Sequence, residues 1–126
     1  MDEEKYNIQV SVTTRFLNDR SSSADNKFVF AYTITISNRG TVGAQLMTRH
    51  WIVKDSDERE QHVHGEGVVG EQPYLNPGER YRYTSGTILE NPIGTMEGSY
   101  QMVADDGTIF DASIPMFVLS ARSSLH

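Results

Sequence analysis

Apolar and polar side chains alternate along most of this chain, and no segment sustains a helical repeat over three turns. Ile8, Val10 and Val12 point one way while Asn7, Gln9 and Ser11 point the other, the pattern of a half-buried strand. Phe28, Phe30, Tyr32, Ile34 and Ile36 make the cleanest apolar face and predict a central strand. A further strand is expected over residues 45–54, with Met47, Trp51 and Val53 on one face. Residues 58–64 read as a polar edge strand. Three more alternating runs carry Tyr81 and Tyr83, then Tyr100 and Met102, then Phe110, Ala112 and Ile114. Turn signals separate these runs. Asn38-Arg39-Gly40 and residues 55–57 read as turns, and the polar, serine-rich residues 19–26 as a mobile connecting loop. Asp105-Asp106-Gly107 predicts a hairpin of type I′ or G1-bulge geometry. Pro73 and Pro77 bracket a passage expected to lie off the sheets, and Pro115 belongs at an edge or a bulge.

Seven or eight short strands without a crossover helix predict an all-β sandwich of two antiparallel sheets, immunoglobulin-like, in a single domain spanning residues 1–126. Leu75-Asn76-Pro77-Gly78-Glu79-Arg80-Tyr81 strengthens this reading. Pro77 presets φ for a type II turn and Gly78 supplies the positive φ that follows. Tyr81 either folds back on the turn as a tyrosine corner or packs into the core.

Composition narrows the function classes. Eleven Lys and Arg against seventeen Asp and Glu leave a formal charge of -6, which argues against nucleic acid or an anionic membrane as partner. The absence of cysteine excludes disulfides, thiolate nucleophiles and Cys-based zinc sites. No apolar stretch approaches the length of a membrane-spanning helix, and the acidic opening MDEEKYNIQV lacks a signal-peptide core. The cytoplasm is the expected compartment.

The stretch His64-Gly65-Glu66-Gly67-Val68-Val69-Gly70-Glu71-Gln72-Pro73, followed by Leu75, Pro77-Gly78-Glu79, Tyr81, Tyr83 and Thr84-Ser85-Gly86, resembles the signature of the ApaG family. So do Phe30-Ala31-Tyr32 with Asn38 and Gly40, Trp51, Gly94-Thr95-Met96, Gly98, Tyr100, Phe110, Ile114-Pro115 and Phe117. The resemblance runs over nearly the whole chain. It implies a fibronectin type III-like or immunoglobulin-like sandwich, in agreement with the alternation. It also implies a link to divalent-cation homeostasis, since bacterial members (also named CorD) are associated with cobalt tolerance and magnesium efflux. They are often encoded beside a dinucleoside tetraphosphate hydrolase. Elsewhere the domain is appended to an F-box protein and to a DNA polymerase delta-interacting protein, where it looks like a protein-binding module. The family supplies no catalytic residues to carry over.

Candidate chemistry is sparse. Gly65, Gly67 and Gly70 match G-x-G-x-x-G, but dinucleotide binding needs a helix after the glycines, and Glu71-Gln72-Pro73 does not start one. Glu66 and Glu71 would also repel a phosphate. A nest of loop amides that cradles a small anion needs no helix, and the bland alternative is a tight turn packing Val68 and Val69 inward. His62 and His64 share a strand face with Glu60, a donor set suited to a first-row divalent metal. No third or fourth ligand is evident, nothing places His50 or His126 nearby, and no metal or other cofactor is assigned. Ser85 lacks the strand-to-helix elbow of a nucleophile, and Asp105 and Asp106 read as a turn rather than an acid/base pair. The expectation is a non-enzymatic protein-interaction module. Its contacts come from the loop of Gly65, Glu66, Gly67, Val68, Val69, Gly70 and Tyr74, and its partner is an unidentified protein. Binding of a small anion (pyrophosphate or nucleotide) or a divalent cation is the alternative, and edge-strand pairing into a homodimer is a third expectation.

Overall fold

In the computed structural model, which describes residues 2–121, the alternating runs become eight strands. They are β1 (Ile8–Phe16), β2 (Phe28–Asn38), β3 (Ala44–Asp55), β4 (Glu60–Glu66), β5 (Tyr74–Leu75), β6 (Arg80–Leu89), β7 (Ile93–Ala104) and β8 (Ile109–Ser120). One sheet has the order β1-β2-β6; the other has β4-β3-β7-β8, with β5 also paired to β3. All pairs are antiparallel. The result is an immunoglobulin-like, fibronectin type III-like sandwich, as the alternation and the resemblance both predict.

The apolar face of β2 supplies the centre of the core, where Phe30, Tyr32, Ile34 and Ile36 are buried. Trp51 from the opposite sheet meets Tyr32 edge-on at 5.4 Å and Phe117 at 5.9 Å, so three aromatic rings join the two layers. Such tilted and T-shaped contacts favour the ring quadrupoles over face-to-face stacking.

Four local expectations change in detail. Residues 19–26 are not a featureless loop: 3-10 turns form at Asn18–Arg20 and Ser23–Asp25, and the Ser21 hydroxyl donates to the Leu17 carbonyl while accepting from the Val29 amide. Ser21 thereby organises the segment by bonding to its backbone. The passage between Pro73 and Pro77 is not wholly off-sheet, because Tyr74 and Leu75 pair with Gln45 and Ala44. Met47 does not share the face of Trp51 and Val53 through regular alternation. Leu46 and Trp51 are both buried although an odd number of positions separates them, and the register slips between Leu46 and Thr48 to allow it. Finally, the Tyr81 hydroxyl makes no hydrogen bond to the turn among the described residues, so the tyrosine corner gives way to the core reading. Asn38 ties that corner instead. The expected turns at Pro77-Gly78 and Asp106-Gly107 do form, with φ of 89° at Gly78 and 86° at Gly107, the latter as a G1 bulge. Pro115 falls in the irregular stretch of edge strand β8.

A hydrogen bond crosses the core between the Tyr83 hydroxyl of one sheet and the Tyr100 hydroxyl of the other. Burial pushes Tyr83 up to about 12 and Tyr100 higher still, so both stay protonated. Tyr100→Phe is expected to lower stability by about 1–3 kcal/mol, because it leaves the Tyr83 hydroxyl buried without its partner. The double variant Tyr83→Phe/Tyr100→Phe should cost little more than either single change. A denaturant-unfolding cycle measures the coupling, and strict additivity would show that the bond contributes nothing.

Candidate functional site

The expected recognition loop follows β4 on the edge beside β3. Arg49 reaches from β3 beneath it, and its Nη1 donates to the carbonyls of Glu66 (3.0 Å) and Gly67 (2.8 Å). Gly65 is the seat for this guanidinium, since a Cβ there would stand 2.6 Å from Arg49 Cζ. Gly67 has φ of 65° and its Cα faces the Glu71 carbonyl oxygen closely enough that a Cβ would overlap it. Val68 and Glu71 then exchange both backbone bonds across a two-residue turn, with Val69 at φ 49° and Gly70 at 81°. Positive φ at both central residues is type I′ geometry. All three glycines therefore have conformational reasons to be there, and the G-x-G-x-x-G pattern builds a hairpin rather than a helix N-terminus.

The turn separates its two valines. Val68 is 1% exposed and packs in the core, whereas Val69 is 62% exposed at the tip. Val68 is thus withdrawn from the expected contact surface, because the turn directs its side chain inward. The Gly67 amide donates to Met47, and those of Val68 and Glu71 bond each other's carbonyls, so these donors are engaged within the fold. Glu66 and Glu71 flank the tip and Arg49 is committed below it. Tyr74 is 45% exposed, but its hydroxyl donates to the Asp105 carboxylate at 2.8 Å, anchoring β5 to the β7–β8 turn.

The histidines behave differently from their expectation. The β3–β4 hairpin turns through residues 56–58, with Glu58 at φ 62°. The Asp55 carboxylate holds this turn by accepting from the amides of Asp57 (2.9 Å) and Arg59 (3.1 Å) and from Arg59 Nε (2.9 Å). That loop length aligns Lys54 with Glu60, and hence His50 directly opposite His64 and Ile52 opposite His62. His50 therefore joins His62 and His64 on the outer face of the sheet. Its ring stacks on His64 at 4.1 Å with 10° between planes, and its Nε2 lies 2.9 Å from His62 Nδ1. The other nitrogen of His62 contacts Glu60 Oε1 at 3.0 Å. Partial desolvation, followed by the neighbouring His64 and His62 rings, holds His50 below the usual histidine value. The hydrogen bond from His62 holds the Glu60 carboxyl below its own usual value. His126 lies outside the described residues.

An ApaG domain model matches residues 18–104, which is most of the sandwich. The chain belongs to the ApaG family. It is 55% identical to Protein ApaG of Thiobacillus denitrificans over 123 residues, covering 98% of this chain and 97% of that one. Against Protein ApaG of Pseudomonas paraeruginosa it is 52% identical over 126 residues, covering both chains fully. Among solved structures, an ApaA protein from Bordetella pertussis superposes with a TM-score of 0.92 at 45% identity, over 96% of this chain and 98% of that one.

Within this ApaG fold, sequence reasoning brought His62, His64 and Glu60 together correctly but missed His50. It also missed Arg49 as the clamp under the loop. A usable signal existed for the strand face: alternation from the core residue Trp51 turns Arg49 inward and His50 outward. No helix among the described residues is long and apolar enough to cross a membrane.

Proposed function

We propose that this ApaG-family chain is a non-catalytic binding module that inserts the Val69 tip of its 65–70 loop into an apolar pocket on a protein partner. Through the family resemblance, the setting we assign is divalent-cation homeostasis, the context of cobalt tolerance and magnesium efflux. The observation that carries the reading is Val69 itself. A β-branched residue held at φ 49° and largely exposed is a conformational outlier. Left-handed backbone costs an L-residue about 1–2 kcal/mol, and asparagine or glycine tolerates it better. Folding alone would favour those residues at the tip. A valine placed there at a cost to stability suits contact with something outside the chain.

Val69→Asn separates the two contributions. The variant is expected to be more stable than the wild type by about 1 kcal/mol in denaturant unfolding, since the strain is relieved. It is expected to lose the partner that wild-type protein captures from native lysate of its source cells. Unchanged capture would remove the tip as the contact, and unchanged stability would remove the strain argument.

A further inference from the structure

We infer that His50, His62 and His64 form a binding site for one first-row divalent transition-metal ion on the outer face of β3 and β4. The inference does not rest on the loop reading, although His50 and His64 adjoin Gly65 and Glu66 at the foot of that loop. One nitrogen from each ring falls within 4.8 Å of the other two, so a single ion is within reach of all three. Ligands at the usual metal–nitrogen distance of about 2.0–2.1 Å stand roughly 3.3 Å apart in a tetrahedral set. The His50 Nε2 to His62 Nδ1 separation of 2.9 Å is within a few tenths of that value. Closing the site requires the His50 and His64 rings, now stacked with 10° between their planes, to turn about their side-chain bonds until their in-plane lone pairs meet at one point.

The supporting contact on His62 points the same way. Glu60 Oε1 accepts from His62 Nε2, which fixes the proton on that nitrogen and leaves the Nδ1 lone pair facing His50. A carboxylate that orients the remote nitrogen of an imidazole is a recurrent second layer around metal-bound histidine, and it raises ligand basicity. Lys54 holds the other Glu60 oxygen at 3.8 Å, which steadies the carboxylate.

The donor set decides the class of ion. Three imidazole nitrogens suit zinc, nickel, copper or cobalt, whereas magnesium and calcium require oxygen ligands. Three protein donors leave at least one coordination position for water or for a group brought by another molecule, and the rings lie on an open face. The site is therefore built for exchangeable rather than permanently enclosed metal.

The test is isothermal titration of the untagged full-length protein with ZnCl2 in a non-coordinating buffer at neutral pH, alongside Co²⁺ binding followed by visible absorption. One ion per chain with micromolar affinity is expected, together with an absorption spectrum of nitrogen-ligated cobalt. MgCl2 should give no binding heat. His50→Gln and His62→Gln should each weaken Zn²⁺ by at least about tenfold, and Glu60→Gln by about 10–100-fold, the usual range for such supporting contacts. All three changes are on exposed or half-exposed residues, and circular dichroism checks that each variant is folded. The proposal is overturned if the wild type takes up no Zn²⁺, or if the histidine variants bind as tightly as it does. Retained loop-partner capture by His62→Gln would leave the two proposed surfaces separable.

Discussion

Asn38→Asp is expected to destabilise the protein by about 3 kcal/mol or more at neutral pH, although the two side chains have nearly the same shape. Asn38 is the single polar residue among the buried positions described, at 2% exposure. Its Nδ2 donates to the carbonyls of Val42 and Leu75, both at 2.9 Å, and its Oδ1 accepts from the Gly40 amide at 2.9 Å. Its own backbone accepts from Gly78 and donates to Glu79. One side chain thus joins the end of β2, the following loop, β5 and the Pro77-Gly78 turn. Aspartate keeps only the bond from Gly40; it turns both donated bonds into oxygen–oxygen repulsion and buries a charge. The sign with pH follows. The introduced carboxyl would have a raised pKa when folded, so its penalty is absent below the ordinary value near ~3.9 and grows as pH rises through the interval up to the folded pKa. Urea unfolding at acid and neutral pH measures this. Equal stability of wild type and variant at neutral pH would show that Asn38 is not the tie described.

Gly98→Ala should cost about 3 kcal/mol or more, near the upper end for overpacked sites. Gly98 sits in the middle of β7, opposite Trp51 on β3 and Ile114 on β8. A Cβ there would overlap the His50 carbonyl oxygen and come within 3.1 Å of the His50 carbonyl carbon. The clash is with backbone of β3, which pairs with β7 in unbroken register from Thr48 to Asp55, so β3 has little room to retreat. Gly107→Ala is the control. Gly107 has φ of 86° with open space around its Cα, so only the left-handed backbone penalty of about 1–2 kcal/mol applies. Thermal unfolding of the two variants should therefore differ clearly. A similar loss in both would mean that β3 and β7 yield more readily than their pairing implies.

Much of the sandwich was legible because a sheet with one wet face writes its period into the residues. Phe30, Tyr32, Ile34 and Ile36 announce β2 at every second position, and each of the four is buried. The turns were equally plain where Pro77, Gly78 and Gly107 carry their conformational preferences in their chemistry. Reading failed where the chain departs from a strict period. A bulge at Met47 brings Ala44 and Leu46 to the core side along with Trp51, and Ser21 holds what composition alone describes as loose chain. In the recognition loop the glycines were visible, but not that Val68 turns in while Val69 turns out.

The candidate metal site shows the division most clearly. Local alternation placed His62 and His64 on one face, since two residues apart on a strand is a property of the strand itself. His50 joined them only through strand register, and register is a property of the hairpin. It depends on a three-residue turn whose left-handed residue is Glu58 rather than glycine, held in that conformation by the Asp55 carboxylate. A slip of one residue would have set His50 opposite Val63 or Gly65 and scattered the imidazoles. Periodicity along a strand is local physics and survives in one dimension. Partnership between strands depends on which turn closes and what the two faces must bury, and that is settled only when the chain has folded.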